Sequence, residues 1–228
     1  MSSLPCGEAT HLAISLVRIT CAVLLLLAGA ARGASVLPDG SILVVGDSLS
    51  AGYGLPADRA WPAQLAGRLT ERGLPWTVIN AAISGDTSAG GRARLSALLE
   101  RHRPALVLIE LGANDALRGQ PLSATAGNLR AMIDAARATG ARVGLIGMQI
   151  PPNFGPIYTR QFHTMYRRLA DETDVPLLEF LLEPIADDPT AFLDDGIHPN
   201  AQAQGPIADH VARWLSRAFG LPTLAADG

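Results

Sequence analysis

The sequence contains no lysine, and its two cysteines, Cys6 and Cys21, both lie near the N-terminus. The rest of the chain offers no cysteine nucleophile and no thiolate metal site, and its fold does not depend on disulfide bonds. The net charge is only -3 and the arginines are scattered, so we expect no nucleic-acid partner. No internal repeat or low-complexity linker divides the 228 residues, a length that suits one well-cored domain.

The N-terminal 34 residues differ in composition from the rest. Arg18 precedes the apolar run Ile19 to Ala31, which ends in small residues. A charged flank, a short apolar segment and an Ala-x-Ala-like end are typical of a secretory signal peptide. An uncleaved membrane anchor is the alternative, but it would bury Arg18 at a cost of roughly 2.5–3.5 kcal/mol. We predict a signal peptide over residues 1–34, with an approximate cleavage site, and a domain over 35–228. The mature protein would be periplasmic or secreted, without a stable membrane anchor.

From Ser41 onward, short apolar runs alternate with longer amphipathic segments. The predicted buried strands are Ile42–Val45, Thr77–Ile79, Leu106–Leu111 and Val143–Met148, with Val175–Leu178 as a weaker fifth. The predicted helices are Trp61–Arg72, Ser88–Arg101, Ser123–Thr139, Ile157–Thr173 and Ala201–Phe219. Buried strands that alternate with helices indicate a parallel sheet covered on both faces. We therefore predict an α/β fold: a flavodoxin-like, doubly wound sheet of five strands in the order 2-1-3-4-5, in a three-layer α/β/α sandwich.

Polar loops follow the first three predicted strands, at the edge where such sheets place their sites. They contain Ser48, Gly85 and Asn114 respectively, and the order 2-1-3 makes these loops neighbours. Ser48 is a candidate nucleophile. The backbone N–H groups of Ser48 and Gly85 and the Asn114 side-chain amide are candidate donors to an oxyanion. The alternatives are that Ser48 only caps a helix and that Asn114 only stabilises a turn.

Near the C-terminus, the segment Asp195-Gly196-Ile197-His198-Pro199 places a carboxylate three residues before an imidazole. This spacing lets the carboxylate orient the ring and stabilise its cationic form, so that His198 can act as the base for a serine nucleophile. Asp194 is the competing carboxylate, and the spacing favours Asp195. We predict that Ser48, Asp195 and His198 form a catalytic triad.

The same four segments resemble conserved blocks of a known family. Gly46 to Ser50, Gly85, Gly112 to Asp115 and Asp195 to Pro199 match, in order, the blocks of the SGNH (GDSL-type) hydrolases. The resemblance extends from Ser41 to about Leu215. It is most similar to the bacterial branch with thioesterase I, lysophospholipase and arylesterase activities. The resemblance implies a carboxylic ester and thioester hydrolase that forms an acyl-enzyme on Ser48, with Gly85 and Asn114 as oxyanion donors.

Two other classes of protein remain open. Asp47, Asp86, Asp115, Asp195 and His198 allow a divalent metal site and a metal-dependent phosphoesterase. A flavodoxin-like domain that binds a ligand without catalysis is the other class, although the glycine-rich loop from Gly85 has no Walker lysine. A carbohydrate O-acetylesterase of the same fold is a further alternative for the substrate.

For the serine hydrolase, we expect no cofactor, no metal and no protein partner, only a small acyl ester or thioester substrate. Four apolar residues follow the third and fourth predicted strands and are candidates for lining an acyl channel: Leu117, Ile150, Pro151 and Phe154. They are equally compatible with ordinary packing.

Overall fold

The computed structural model describes residues 40–222. The predicted signal peptide and its cleavage site lie outside the described residues. The strands are β1 (Gly40–Gly46), β2 (Trp76–Asn80), β3 (Leu106–Glu110), β4 (Arg142–Ile146) and β5 (Leu177–Leu178). The helices are α1 (Ser48–Ala51), α2 (Trp61–Glu71), α3 (Ser88–His102), α4 (Ala113–Leu117), α5 (Leu122–Ala138), α6 (Pro156–Thr173) and α7 (Gln204–Phe219). Short 3₁₀ turns occupy Ala57–Arg59, Pro152–Phe154, Glu183–Ile185 and Pro189–Ala191.

The five strands form one parallel sheet in the order β2-β1-β3-β4-β5, which confirms the predicted fold class and strand order. The central strands β1 and β3 are buried over most of their length because helices cover both faces. Since all strands run in the same direction, their carboxyl ends lie at one edge of the sheet. The loops that carry the candidate site residues therefore meet at that edge.

Strand β2 differs from the prediction that it is buried on both faces. It lies at the edge of the sheet, with Thr77 and Asn80 exposed and only Trp76 buried. An edge strand lacks a neighbour on one side, so its side chains reach solvent even where the sequence is apolar. Strand β5, the opposite edge, is only two residues long.

The last helix begins at Gln204, three residues later than predicted. Residues 201–203 form a turn instead, because the Asn200 side-chain oxygen accepts hydrogen bonds from the N–H groups of Gln202 (3.1 Å) and Ala203 (3.2 Å). Gln204 then joins two parts of the fold. Its buried side-chain oxygen accepts a bond from the Trp61 N–H (2.9 Å), and its nitrogen donates to the Pro199 carbonyl (3.2 Å). Within residues 40–222, no helix has the length and apolar character needed to cross a membrane.

Candidate active site

Ser48 is the first residue of α1, directly beyond the end of β1. The residue that caps this short helix is Asp47, whose Oδ1 accepts a hydrogen bond from the Leu49 N–H (3.1 Å). Capping therefore does not occupy the Ser48 hydroxyl. Ser48 is half-buried and faces a cavity of about 420 Å³.

His198 lies next to Ser48, although the two residues are 150 positions apart in the chain. The distance from His198 Nε2 to Ser48 Oγ is 2.9 Å, and the distance from His198 Nδ1 to Asp195 Oδ2 is 2.7 Å. In the described chain, Asp194 has no hydrogen bond to His198. The structure thus brings Ser48, His198 and Asp195 into one hydrogen-bonded chain.

The turn that carries Asp195 and His198 is stabilised mainly by its own hydrogen bonds. Asp195 Oδ1 accepts bonds from the N–H groups of Ile197 and His198, both at 2.9 Å, while Gly196 adopts a left-handed conformation with φ 66°. The bonds from the His198 backbone and ring, followed by the Ile197 N–H, lower the pKa of Asp195 to about 2. Asp195 is therefore ionised at neutral pH, as a residue that stabilises a cationic imidazole must be.

Tyr53 is a neighbour of His198 that the sequence analysis missed. Its ring centroid lies 4.3 Å from that of His198, with the two planes tilted by 32°. The ring packs against the imidazole and limits its rotation, yet half of the Tyr53 side chain remains exposed. No motif or spacing in the sequence indicated this contact.

The two candidate oxyanion residues lie on neighbouring loops. Asn114 is in α4 and lines the same cavity as Ser48; its Nδ2 donates to Asp47 Oδ2 at 3.0 Å. An amide nitrogen carries two hydrogens, so one remains for a substrate. Gly85 has φ 79°, a conformation that favours glycine, and its carbonyl accepts a bond from Arg118 Nη2 (2.9 Å). Gly85 is not among the residues that line the cavity.

Three of the four candidate acyl-channel residues, Leu117, Ile150 and Pro151, line the cavity. Phe154 is not among the lining residues, because it lies in the 3₁₀ turn that precedes α6. Further apolar lining comes from Met148 and from residues beyond β5 that the sequence analysis did not identify: Phe180, Leu182, Phe192 and Ile197. These residues follow a two-residue strand in irregular segments, where periodicity gives no signal.

The acidic residues considered for a metal site have separate partners. Asp86 Oδ2 pairs with Arg94 (2.9 Å), whereas Asp115 accepts bonds from the Ser88 hydroxyl (2.5 Å) and the Ser88 N–H (2.8 Å). Within residues 40–222, no group of three or more His, Cys, Asp or Glu side chains has an arrangement that could hold a metal ion. The carboxylates thus serve as hydrogen-bond acceptors within the loops.

Two buried carboxyl groups belong to the surroundings of Ser48: Asp47, which precedes it in the chain, and Glu110, which lies beneath its loop. The sequence analysis gave neither a role in the serine hydrolase site. Burial raises the pKa of Asp47 to about 6, although bonds from the Leu49 N–H and Asn114 partly oppose this effect. Glu110 ends β3 and is fully buried; burial and the nearby Asp47 charge raise its pKa well above the usual range. A single carboxylate in the apolar run Leu106–Leu111 was the available signal.

Known proteins of one family are similar to this chain. A family model described as "GDSL-like Lipase/Acylhydrolase family" matches residues 44–205. An arylesterase from Vibrio mimicus is 47% identical over 76% of this chain and 87% of its own length. The thioesterase 1/protease 1/lysophospholipase L1 of Escherichia coli is 46% identical over 77% of this chain and 83% of its own length. The crystal structure of the psychrotrophic esterase EstA from Pseudoalteromonas sp., inhibited by monoethylphosphonate, has a TM-score of 0.78. The EstA sequence is 38% identical to this one, and the match covers 80% of this chain and all of the EstA chain. The chain belongs to the GDSL-like lipase/acylhydrolase family.

Proposed function

We propose that this protein is a serine hydrolase that cleaves carboxylic esters and thioesters through an acyl-enzyme on Ser48. The observation that carries the proposal is the hydrogen-bonded chain from Ser48 Oγ through the His198 ring to the Asp195 carboxylate. A serine hydroxyl becomes a useful nucleophile when an adjacent base accepts its proton and a third group orients that base. Relatives named arylesterase and thioesterase, at 46–47% identity, support the same activity.

In the first half of the reaction, Ser48 Oγ attacks the acyl carbonyl carbon while His198 Nε2 accepts the hydroxyl proton. The resulting imidazolium is stabilised by Asp195, which stays ionised. His198 then gives the proton to the leaving alcohol or thiol as the bond from the acyl carbon to the leaving group breaks. In the second half, water attacks the acyl carbon with His198 again as the base. The bond from that carbon to Ser48 Oγ then breaks as His198 returns the proton to Oγ, and the carboxylic acid leaves.

The tetrahedral intermediates place a negative charge on the former carbonyl oxygen. We assign the donors for this oxyanion to the N–H groups of Ser48 and Gly85 and to the Asn114 amide. The contact between Asn114 Nδ2 and Asp47 Oδ2 supports this assignment, because it fixes the amide plane before substrate binds. Donors that are already oriented need no reorganisation when the charge develops.

The cavity supports substrates with an apolar acyl chain. Leu117, Ile150 and Pro151, together with Phe180 and Phe192, contribute apolar lining to the cavity that Ser48 also lines. An acyl chain longer than acetyl would bury apolar surface there, and this burial would stabilise binding by about 25 cal/mol per Å². We expect kcat/KM for p-nitrophenyl esters to increase from acetate to butyrate and hexanoate. The highest value with acetate would favour the O-acetylesterase alternative.

The N-terminal segment supports a further part of the proposal, that the protein is exported. The apolar run Ile19 to Ala31 after Arg18 has the composition of a signal peptide. N-terminal sequencing of the protein purified from the periplasm or medium should give a first residue near position 35. Recovery of the uncleaved chain in the membrane fraction would contradict export by cleavage.

The test of the catalytic proposal is the Ser48→Ala variant, with Ser96→Ala as a matched control. Ser96 is an exposed serine on α3, away from the cavity. We expect Ser48→Ala to lose the hydrolysis of p-nitrophenyl butyrate while its circular dichroism and Tm stay near those of the control. A fluorophosphonate probe should label the wild type and the control but not Ser48→Ala.

The metal alternative is tested in the same assay. Turnover by the wild type should be unchanged after dialysis against EDTA, because the proposed reaction uses only protein groups. Turnover by Ser48→Ala within tenfold of the control, or activity lost in EDTA and restored by a divalent cation, would overturn the proposal.

A further inference from the structure

Glu110 is a fully buried carboxyl group directly below the loop that carries Ser48. Its Oε2 accepts hydrogen bonds from the Ser50 hydroxyl (2.8 Å) and from the Asp47 N–H (3.2 Å). These two residues lie on either side of Ser48 in the chain. A single oxygen atom of Glu110 therefore holds the Ser48 loop at one residue before Ser48 and at one residue after it.

Burial of the Glu110 carboxyl group costs free energy, and the glycine at position 46 leaves space for it. Its Oε1 is buried and has no hydrogen-bond partner within residues 40–222. A Cβ atom on Gly46, which is paired with Glu110 in the sheet, would lie only 2.6 Å from Oε2 and 2.8 Å from Ser50 Oγ. An apolar side chain would fill the same space without the cost of burying a polar group. A carboxyl group at this place thus points to a role beyond packing.

The contacts of Glu110 continue to the proposed oxyanion site. Asp47, held at its N–H by Glu110, accepts a bond from Asn114 Nδ2 (3.0 Å) through its own carboxylate. The path runs from Glu110 through Asp47 to Asn114, and the first two residues are buried. A displacement of Asp47 would therefore move its carboxylate and turn the Asn114 amide.

We infer that Glu110 is a positioning residue for the proposed esterase: by holding the backbone of Asp47, it sets the orientation of the Asn114 amide. The inference rests on the proposed function. It assigns to Glu110 no contact with substrate and no proton transfer.

The charges around Glu110 and Asp47 are compatible with a positioning role for Glu110. Burial and the nearby Asp47 charge raise the pKa of Glu110, which favours its protonated form. Asp47, with a pKa of about 6, is mostly ionised at neutral pH, and its charge strengthens its bond from Asn114. Four other titratable groups surround these two residues: Asp86, Asp115, His198 and Tyr166. Asp86 pairs with Arg94, and Asp115 is bonded to Ser88. The Tyr166 hydroxyl donates to the Leu111 carbonyl.

The test is a double-mutant cycle between Glu110→Leu and Asn114→Ala. Asn114→Ala alone should lower kcat by about 10²–10³, the usual cost of losing one oxyanion donor. Glu110→Leu alone should lower kcat by about tenfold or more with KM within about threefold. Added to Asn114→Ala, Glu110→Leu should lower kcat by less than about threefold, because residues that act through one another are not additive.

Glu110→Gln is the conservative variant and should retain kcat within about fivefold, since its carbonyl oxygen can accept both hydrogen bonds. Leu106→Ala, a cavity mutation at the other end of β3, controls for lost packing: it should lower Tm but leave kcat of the folded enzyme unchanged. If Glu110→Leu does not fold, Ser50→Ala takes its place in the cycle, because it removes only the hydroxyl donor to Glu110.

Additive effects of Glu110→Leu (or Ser50→Ala) and Asn114→Ala on kcat would overturn the inference. A Glu110→Leu enzyme with wild-type kcat would also overturn it. Either result would leave the proposed function intact if Ser48→Ala remains inactive. If Ser48→Ala is active, the proposed function itself fails.

Discussion

Two aspartates contact the candidate catalytic groups, and their surroundings give them opposite properties. Asp195 lies in an exposed turn, where hydrogen bonds from His198 and Ile197 lower its pKa to about 2. Asp47 is buried beside Ser48, where the loss of water raises its pKa to about 6 despite two hydrogen bonds. An aspartate side chain is thus firmly ionised in the exposed turn and close to neutral in the buried position beside Ser48. Local donors decide the first case and burial decides the second.

The largest effect is expected when the surface aspartate is changed. Asp195→Asn should lower kcat by about 10³–10⁴, because an amide can hold the imidazole in the wrong tautomer and does not stabilise its cation. Asp194→Asn is the matched control, since Asp194 is exposed in the same turn but has no hydrogen bond to the ring within the described residues. Steady-state kinetics with p-nitrophenyl butyrate measure both variants. A larger loss in Asp194→Asn would reverse the assignment.

A smaller loss is expected when the buried aspartate is changed. Asp47→Asn keeps the shape of the side chain and an oxygen that can accept the Leu49 N–H, but turns a donor toward the donor Nδ2 of Asn114. We expect kcat to fall by about tenfold, less than for removal of the Asn114 donor itself. Fluorophosphonate labelling of Ser48 should slow in parallel. Unchanged kcat would show that Asp47 only caps α1.

The smallest effect concerns stability, in which the two aspartates should respond to pH in opposite directions. The pKa of Asp47 is raised above 3.8, so its contribution to stability is present below pH 3.8 and is lost as the pH rises through about 6. The pKa of Asp195 is lowered, so its contribution is present above pH 3.8 and is lost as the pH falls through about 2.

Urea unfolding at several pH values measures this difference. The unfolding free energy of the wild type minus that of Asp47→Asn should decrease between pH 4 and 7, by up to about 3 kcal/mol. For Asp195→Asn, the same difference should increase between pH 2 and 4. A difference for Asp47→Asn that does not depend on pH would mean that Asp47 has an ordinary pKa.

The sequence predicted those parts of the protein that depend on regular patterns. Buried apolar runs located β1, β3 and β4. Their alternation with helices, together with right-handed crossovers, predicted a doubly wound sheet, for which the flavodoxin-like strand order suits five strands. Asp195 and His198 form a pair that contiguous sequence can reveal, because all their bonds to each other lie within four residues. The loops after the parallel strands had to meet at one edge, which brought Ser48 and Asn114 to the same cavity.

Other features depend on contacts that no local pattern encodes. The exposure of Thr77 follows from the position of β2 at the sheet edge, and the stacking of Tyr53 on His198 follows from the path of a loop. Glu110 stood in a predicted buried strand, but its role depends on what lies above it: the N–H of Asp47 and the hydroxyl of Ser50. Phe154 followed a strand like Ile150 did, yet a short 3₁₀ turn takes it away from the cavity lining.

The turn that carries Asp195 and His198 is closed by local backbone bonds, from the Leu193 N–H to the His198 carbonyl and from the Asn200 N–H to the Ala191 carbonyl, both 2.8 Å. Such a segment opens at a free-energy cost well below that of melting the sheet. Mild heat or denaturant should therefore inactivate the enzyme while its far-UV circular dichroism spectrum is still that of the native state. Inactivation of this protein would then report the opening of one turn, and prompt recovery of turnover on cooling or dilution would follow.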